Sequence, residues 1–179
     1  EMKKQILISI LLSLALQIPA YSKAAVPKII VTPKSCPFEC CKLGDWIAQS
    51  NTEVFESPNR KKLKRIIKKG EHVTAIVGES HSKLLLAKFN AEDETQNIHA
   101  GDTVYVLHGV REGAMAIWHE GRVKEISDGQ QMELLNKADM KPDGTWAISS
   151  VWWVKVRFKD GKEGWLKAPR KFNGMDSCS

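Results

Sequence analysis

The chain has 179 residues, of which 42% are hydrophobic and 27% are charged, with a formal net charge of +6 at pH 7. This composition supplies apolar side chains for one or two small domains, and it excludes a disordered polyelectrolyte, a collagen and a polytopic membrane protein. Short apolar runs separated by 7 prolines and 12 glycines favour many short strands over long helices.

Residues 1–24 are typical of an export signal. Lys3 and Lys4 precede a mostly apolar run over residues 6–18, which ends at Pro19 and is followed by small residues. The run is shorter than the about 20 apolar residues that a bilayer span needs. Its order of charge, apolar run and small residues is that of a cleaved signal peptide. We therefore expect an exported protein, either periplasmic or extracellular.

The four cysteines are expected to form two disulfides. Cys36, Cys40 and Cys41 lie close together in the sequence, and Cys178 lies near its end. In an oxidising compartment an even number of cysteines indicates disulfides. A bond between the neighbours Cys40 and Cys41 would close a strained ring, so Cys36 pairs with one of them and the other pairs with Cys178. No metal site is expected, because zinc sites usually use a second pair of ligands.

The body of the chain is predicted to be mainly strand. In chain order, apolar and β-branched runs predict strands at residues 46–48, 52–55, 66–67, 73–77, 83–89, 103–107 and 114–118. The acidic stretch 91–97 is the best candidate for a linker. A single helix is predicted over residues 128–140, where Asp128 can cap and Gln131 sits at the capping-box position.

The clearest pattern is a hairpin near the C-terminus. Residues 152–158 alternate between an apolar face and a face that carries Trp153 and two cations, which is typical of a half-buried antiparallel strand. Asp160 and Gly161 then predict a two-residue type I′ turn. Gly164 begins the return strand.

Three segments of the sequence carry a resemblance to a known family. "KKGEHVTAIVG" at 68–78 matches "HAGDTVYVLHG" at 99–109 in a glycine, an acid and a valine before an apolar run that ends on glycine. These segments and "WWVKVRFKDGKEGWLKA" at 152–168 resemble bacterial SH3-type (SH3b-like) domains of the cell envelope. The motif positions are Gly70-Glu71, Gly101-Asp102, Trp153-x-x-Val156 and Gly164-Trp165-Leu166.

The resemblance implies small SH3-like antiparallel barrels, two in tandem, with one enlarged barrel as the alternative. The two glycine turns lie closer together than one such barrel is long, so the first barrel would be short or would share strands with the second. The expected organisation is a cysteine-containing segment at 25–43, barrels at 44–96 and 97–170, an insertion with the predicted helix near 119–149, and a tail at 171–179 that carries Cys178.

The sequence offers no catalytic centre. Relatives of this family often carry a wall-cutting cysteine peptidase, which needs a cysteine with a downstream histidine, and here all four cysteines are expected in disulfides. The 5 histidines have no metal-binding spacing, and neither a G-x-S-x-G motif nor a glycine-rich phosphate loop occurs. We expect no enzyme and no cofactor.

Two sets of residues are candidates for binding. Six tryptophans are more than two small cores can easily bury, which predicts an exposed groove for stacking on sugars or peptides. The groove residues are expected to be Trp46, Phe55, Trp118, Trp146 and Trp153.

The second set is a basic run over residues 60–69. Its ordinary interpretation is a solvated strand edge, and its functional interpretation is attraction to an anionic surface such as lipid head groups or an acidic wall polymer. Export argues against nucleic acid as a partner. The cations are Arg60, Lys61, Lys62, Lys64, Arg65, Lys68 and Lys69.

These observations together predict an exported, non-catalytic binding module. Its expected ligand is a cell-envelope component, above all a peptidoglycan peptide or glycan. The alternative is a protein–protein interaction or inhibitor module that acts on another envelope protein.

Overall fold

The computed structural model describes residues 26–58, 60–127 and 131–178. Within them the chain is mainly β, as predicted, with no α-helix and with a 3-10 turn at Lys137–Asp139. The expected export signal at residues 1–24 lies outside the described residues. The strands are β1 (Ile29–Pro33), β2 (Gly44–Ala48), β3 (Thr52–Ser57), β4 (Arg60–Ile67), β5 (His72–Lys83), β6 (Leu85–Phe89), β7 (Thr103–Arg111), β8 (Ala114–His119), β9 (Arg122–Ser127), β10 (Met132–Leu134), β11 (Ser150–Arg157), β12 (Glu163–Lys167) and β13 (Phe172–Asn173).

The strands form two antiparallel sheets. Sheet 1 has eight strands in the order β13-β2-β5-β11-β12-β3-β4, with β1 paired to the far end of β5. Sheet 2 has five strands in the order β10-β6-β7-β8-β9. Because β6 to β10 all lie between β5 and β11 in the chain, sheet 2 is inserted into sheet 1.

This pairing differs from the expected division between residues 96 and 97. β6 belongs to the first predicted barrel, yet it pairs with β7 of the second. β11 and β12 belong to the second predicted barrel, yet they pair with β5 and β3 of the first. Alternation of apolar residues identifies a strand but leaves its partner open, so the nesting was not visible in the sequence.

A five-strand order recurs in the two sheets. With β1 and the β3–β4 hairpin set aside, sheet 1 runs β13-β2-β5-β11-β12, and sheet 2 runs β10-β6-β7-β8-β9. In each case the last strand in the chain returns to pair with the first, and the others follow in sequence. The nested arrangement accounts for the short distance between the two glycine turns, because both turns introduce the second strand of their own sheet.

The two glycine turns have the same hydrogen bonding. The amide of Gly70 donates to the carbonyl of Ala48 at 2.8 Å, and the amide of Gly101 donates to the carbonyl of Phe89 at 2.7 Å. Both glycines have positive φ, +83° and +98°. The sequence similarity at 68–78 and 99–109 therefore corresponds to one repeated turn that leads into β5 and β7.

Each sheet has its own apolar core. A fully buried aliphatic or aromatic side chain contributes about 1.5–3 kcal/mol, so each cluster can hold its sheet in a curled form. The sheet 1 core includes Trp46, Val54, Ile67, Trp152, Val154, Leu166 and Phe172. The sheet 2 core includes Leu85, Phe89, Ile98, Val104, Val106, Ile117 and Ile126.

The predicted helix over residues 128–140 is wrong. Its proposed cap, Asp128, lies outside the described residues, and the segment after it contains β10 and the short 3-10 turn. Met132 pairs with Phe89, and this pairing adds β10 to the edge of sheet 2 beside β6. The predicted helix would have placed Met132 and Leu135 together on a buried face, but Leu135 is 51% exposed. Strand pairing has overridden a short local signal.

The C-terminal hairpin lies where the sequence predicts it, but its turn differs. Val154 pairs with Leu166, as expected for adjacent antiparallel strands. Phe158 pairs with Lys162 through a 2.9 Å backbone hydrogen bond, so the loop has three residues, 159–161. Gly161 alone has positive φ in this loop, +78°, which is the arrangement of a turn with a glycine bulge rather than of type I′.

Replacing Gly161 with valine is expected to destabilise the protein. A β-branched residue at positive φ is strained, so the free energy of unfolding should fall by about 1 kcal/mol or more. Urea denaturation would measure this change. Lys159→Val, in the same loop but without positive φ, is the matched control and should change stability by less than about 0.5 kcal/mol. A neutral result for Gly161→Val would contradict the observed turn.

Candidate ligand-binding cleft

A cleft of about 590 Å³ lies where the N-terminal cysteine segment, sheet 1 and β7 of sheet 2 meet. Its volume falls in the range of about 300–1,000 Å³ that small-molecule sites occupy. The apolar wall consists of Pro37, Phe38, Trp152, Pro169, Phe172 and Met175. The polar lining consists of Gln49, Ser80, His108, Ser150, Arg170 and Asp176.

Two disulfides hold one wall of the cleft. Cys36 bonds to Cys41, which closes a short loop that carries Phe38, and Cys40 bonds to Cys178 across 138 residues. Both pairs belong to one of the two connectivities left open by the sequence. Within the described residues no cysteine is free. This bonding fits an exported protein.

Aromatic rings form the floor and one side of the cleft. Phe38 meets Trp152 edge-on, with ring centroids 5.6 Å apart. Trp46 lies beneath, 6.1 Å from Trp152 and 5.5 Å from Phe172. The indole N–H of Trp152 donates to the carbonyl of Ser35 at 2.9 Å, which fixes the ring in place. The aromatic wall is therefore preformed.

Hydroxyl groups and one histidine form the polar end of the cleft. The hydroxyl of Ser82 lies 3.1 Å from Nδ1 of His108 and donates to the hydroxyl of Ser150 at 3.0 Å. Ser35 and Ser80 hydrogen bond to each other through their side-chain oxygens. The two contacts of Ser82 join β5 to β7 and to β11, so they tie sheet 2 to sheet 1.

The histidine in this group is neutral near pH 7. Burial lowers the pKa of His108 below its ordinary value, because desolvation disfavours the charged ring. The polar end therefore presents neutral donors and acceptors rather than a fixed charge. At this end the cleft can hydrogen bond through hydroxyl groups, while its aromatic wall can stack on a ligand and Arg170 adds a charge elsewhere in the lining.

The structure corrects two of the five predicted groove residues. Trp46 and Trp153 are both buried and neither borders the cleft, so neither is a groove residue. The alternation along β11 predicts that one of Trp152 and Trp153 is exposed unless both faces of the strand are covered, and at these two residues both faces are covered. Trp152 packs in the sheet 1 core, while Trp153 contacts Phe55 at 5.8 Å and His81 at 6.3 Å between ring centroids.

The other predicted groove residues lie apart from one another. Phe55 is half-buried beside Trp153 on sheet 1. Trp118 packs on Tyr105 of sheet 2 at 5.5 Å, and Trp146 is half-buried against the sheet 2 core. The five residues thus form no common groove, and none of them lines the cleft.

Sequence reasoning missed Phe38 and Phe172 as cleft residues. The available signal was position: Phe38 lies inside the expected disulfide loop, and Phe172 lies in the segment that leads to Cys178. An aromatic residue in such a tied segment is held close to the rest of the molecule. Counting tryptophans directed attention to the wrong aromatic residues.

The basic run lies on β4, which is the last strand in the order of sheet 1. Lys62 pairs with Glu56 at 2.9 Å, and Arg65 pairs with Glu71 and stacks 4.0 Å above the ring of Phe158. The side chain of Lys61 lies outside the described part of the structure. The remaining cations of the run are exposed: Arg60, Lys64, Lys68 and Lys69.

One group of close metal-ligand types occurs in the described residues. It consists of Cys40, Asp176 and Cys178. Its two sulfurs are bonded to each other, and a disulfide sulfur is not the thiolate that binds zinc. The group therefore does not provide the ligands of a zinc centre.

No family model, curated protein sequence or solved structure matches the chain. In the ranges that the structure describes, no helix is long and apolar enough to cross a bilayer.

Proposed function

We propose that the protein is an exported, non-catalytic binding module that recognises a cell-envelope component through the cleft. A peptidoglycan peptide or glycan is the first candidate ligand. One observation carries the proposal: the cleft brings the half-buried ring of Phe38, backed by the buried rings of Trp152 and Phe172, together with a neutral polar end that contains Ser150 and His108. The aromatic groove is kept from the sequence analysis, but different residues form it.

The chemistry of the cleft suits such ligands. Wall peptides and glycans combine apolar faces with hydroxyl and amide groups and carry modest charge. Aromatic rings supply large contact areas at low entropy cost, and serine hydroxyls can either donate or accept. Arg170 at the lining adds one exposed cation that can pair with an acidic group of the ligand.

The repeated strand order supports an SH3-like assignment for both sheets. In each five-strand unit the strand that comes last in the chain pairs with the first, so the two units share one strand order. The two glycine turns precede the second strand of each unit, β5 and β7. The Trp153-x-x-Val156 hairpin is formed by the third and fourth strands of the first unit, β11 and β12. We infer two SH3-like barrels, with the second inserted between the second and third strands of the first.

The contacts of the candidate nucleophiles support a non-catalytic role. Ser82 hydrogen bonds to His108, as an activated serine would, but Ser82 is fully buried and faces Ser150. A nucleophile must reach its substrate, so this pair fits a structural contact between sheets better than a reaction centre.

Phe38→Ala is expected to weaken retention on purified cell wall. The substitution removes the ring that would stack on the ligand and the edge-on support that it gives to Trp152, so affinity should fall by about three- to tenfold. The measurement is made at about 0.5 M salt so that weak charge contacts are screened. Trp118→Ala is the matched control, because Trp118 is also a half-buried aromatic but lies outside the cleft. It should be retained like the unaltered protein.

Other results would contradict the proposal. Equal loss in Phe38→Ala and Trp118→Ala would remove the cleft from the binding site. If the unaltered protein is not retained but binds one purified envelope enzyme, the interaction or inhibitor function replaces wall binding. Release of soluble fragments from the wall would contradict the non-catalytic assignment.

A further inference from the structure

Two apolar side chains are exposed on β4, the edge strand at the end of the sheet 1 order. Leu63 is 47% exposed and Ile66 is 50% exposed on β4. Leu63 pairs with Phe55 and Ile66 pairs with Glu53. Glu53 and Phe55 are two apart on β3, so they lie on one face of the sheet, opposite to the buried Val54 between them. The bulge on β4 brings their partners Leu63 and Ile66, which are three apart, to that same outer face.

Cations surround this pair. Lys62 is held by Glu56, but Arg60, Lys64 and Lys69 form no ion pair with any residue in the described ranges. The pKa of Glu56 is lowered first by its hydrogen bond from Lys62 and further by the charges of Arg60 and Lys64, as expected in a positive field. We define the β4 patch as Arg60, Lys62, Leu63, Lys64, Ile66, Lys68 and Lys69.

The composition of the β4 patch selects its partner. A second copy of the chain laid on the same patch would oppose cations to cations, which disfavours a symmetric dimer there. Addition of a partner strand is hindered, because the pairing of β3 with β4 shifts register twice and such bulges disrupt a regular edge. Exposed aliphatic groups flanked by lysines are instead the combination that anionic lipid surfaces attract.

We propose that the β4 patch docks the protein onto an anionic lipid bilayer. Leu63 and Ile66 enter the boundary between head groups and acyl chains, and the surrounding cations face the lipid phosphates. β12 and β3 separate β4 from β11 in sheet 1, and the patch shares no residue with the cleft. Both surfaces can therefore be occupied at once, which would hold the cleft close to a membrane.

Co-sedimentation with vesicles tests this surface. The protein should bind vesicles made of equal parts phosphatidylglycerol and phosphatidylcholine, and binding to phosphatidylcholine alone should be weak. Replacing both Leu63 and Ile66 with glutamine should lower partitioning by about tenfold. Its matched control is Leu135→Gln with Met140→Gln, which removes apolar groups of 51% and 43% exposure next to sheet 2 and should bind normally.

Charge is tested separately. Lys64→Gln with Lys69→Gln should lower partitioning by about fivefold for each lysine. Lys137→Gln with Lys141→Gln removes the same charge from exposed positions near sheet 2 and should have at most a small effect. Phe38→Ala should bind vesicles normally, so failure of this inference and failure of the cleft proposal are distinguishable.

Three results would overturn the inference. Equal binding to both vesicle types would exclude recognition of anionic lipid. Tight binding to soluble polyglutamate that survives loss of Leu63 and Ile66 would identify a linear polyanion instead. Self-association that is abolished by the same apolar substitutions would assign the patch to a second copy of the chain.

Discussion

Replacing Cys40 and Cys178 together with serine is expected to lower the free energy of unfolding by about 5 kcal/mol. The two cysteines are 138 residues apart, so their bond removes a large loop-closure entropy from the unfolded chain. The Cys36–Cys41 bond spans only 5 residues, and its removal should cost about 2 kcal/mol in the same chain-entropy description.

Urea denaturation followed by tryptophan fluorescence, without reductant, would compare the two double variants. A similar loss in both would contradict the entropic account and would point to local packing around the cysteine segment.

The longer disulfide, Cys40–Cys178, also has a functional consequence. The amide of Ser177 donates to the carbonyl of Cys40 at 2.9 Å, and Lys42 donates to the carbonyl of Met175 at 2.9 Å. The disulfide holds together the two segments that these hydrogen bonds join, and both segments line the cleft. Its loss should therefore loosen the cleft wall and reduce ligand retention.

The strands were largely predictable because their signal is local. Alternation and β-branched runs mark β5, β7, β11 and β12, and the two glycine turns mark where β5 and β7 begin. Strand partners depend on contacts between distant residues. Leu86 of β6 pairs with Tyr105, and Trp152 of β11 pairs with Ser80, yet no local pattern distinguishes these pairings from a tandem arrangement.

Short sequence patterns gave wrong predictions where pairing with a distant or neighbouring strand determined the local conformation. Met132 and Leu135 have helical spacing, but the pairing of Met132 with Phe89 completes sheet 2 and determines the local conformation. Asp160-Gly161 is common to two- and three-residue loops. The pairing of Phe158 with Lys162 selects the longer one here.

The place of the candidate cleft was not predictable from the sequence. The aromatic residues expected in a groove include Trp46 and Trp153, which are buried away from the cleft, while Phe38, which the sequence analysis did not select, lines it. The inference assumed that one face of β11 meets solvent. Phe55 and His81 cover that face over Trp153, which a strand's own alternation cannot indicate.

Trp46→Ala distinguishes the exposed groove residue that the sequence predicts from the buried core residue that the structure shows. Trp46 is fully buried, packs against Phe172 and Trp152, and donates its indole N–H to the carbonyl of Lys42 at 2.9 Å. Truncation would leave a large cavity, so the free energy of unfolding should fall by about 3–5 kcal/mol. Trp118→Ala, at a half-buried tryptophan of sheet 2, should cost less than half as much.

Thermal and urea denaturation of the two variants would measure these losses, and Trp46→Phe provides a second comparison because a smaller ring leaves a smaller cavity. We expect Trp46→Phe to recover part of the stability and to keep wall retention, since the ring lies beneath the cleft rather than in it. If Trp46→Ala instead leaves stability unchanged but abolishes retention, Trp46 is an exposed ligand contact. In that case its placement in the sheet 1 core would be wrong.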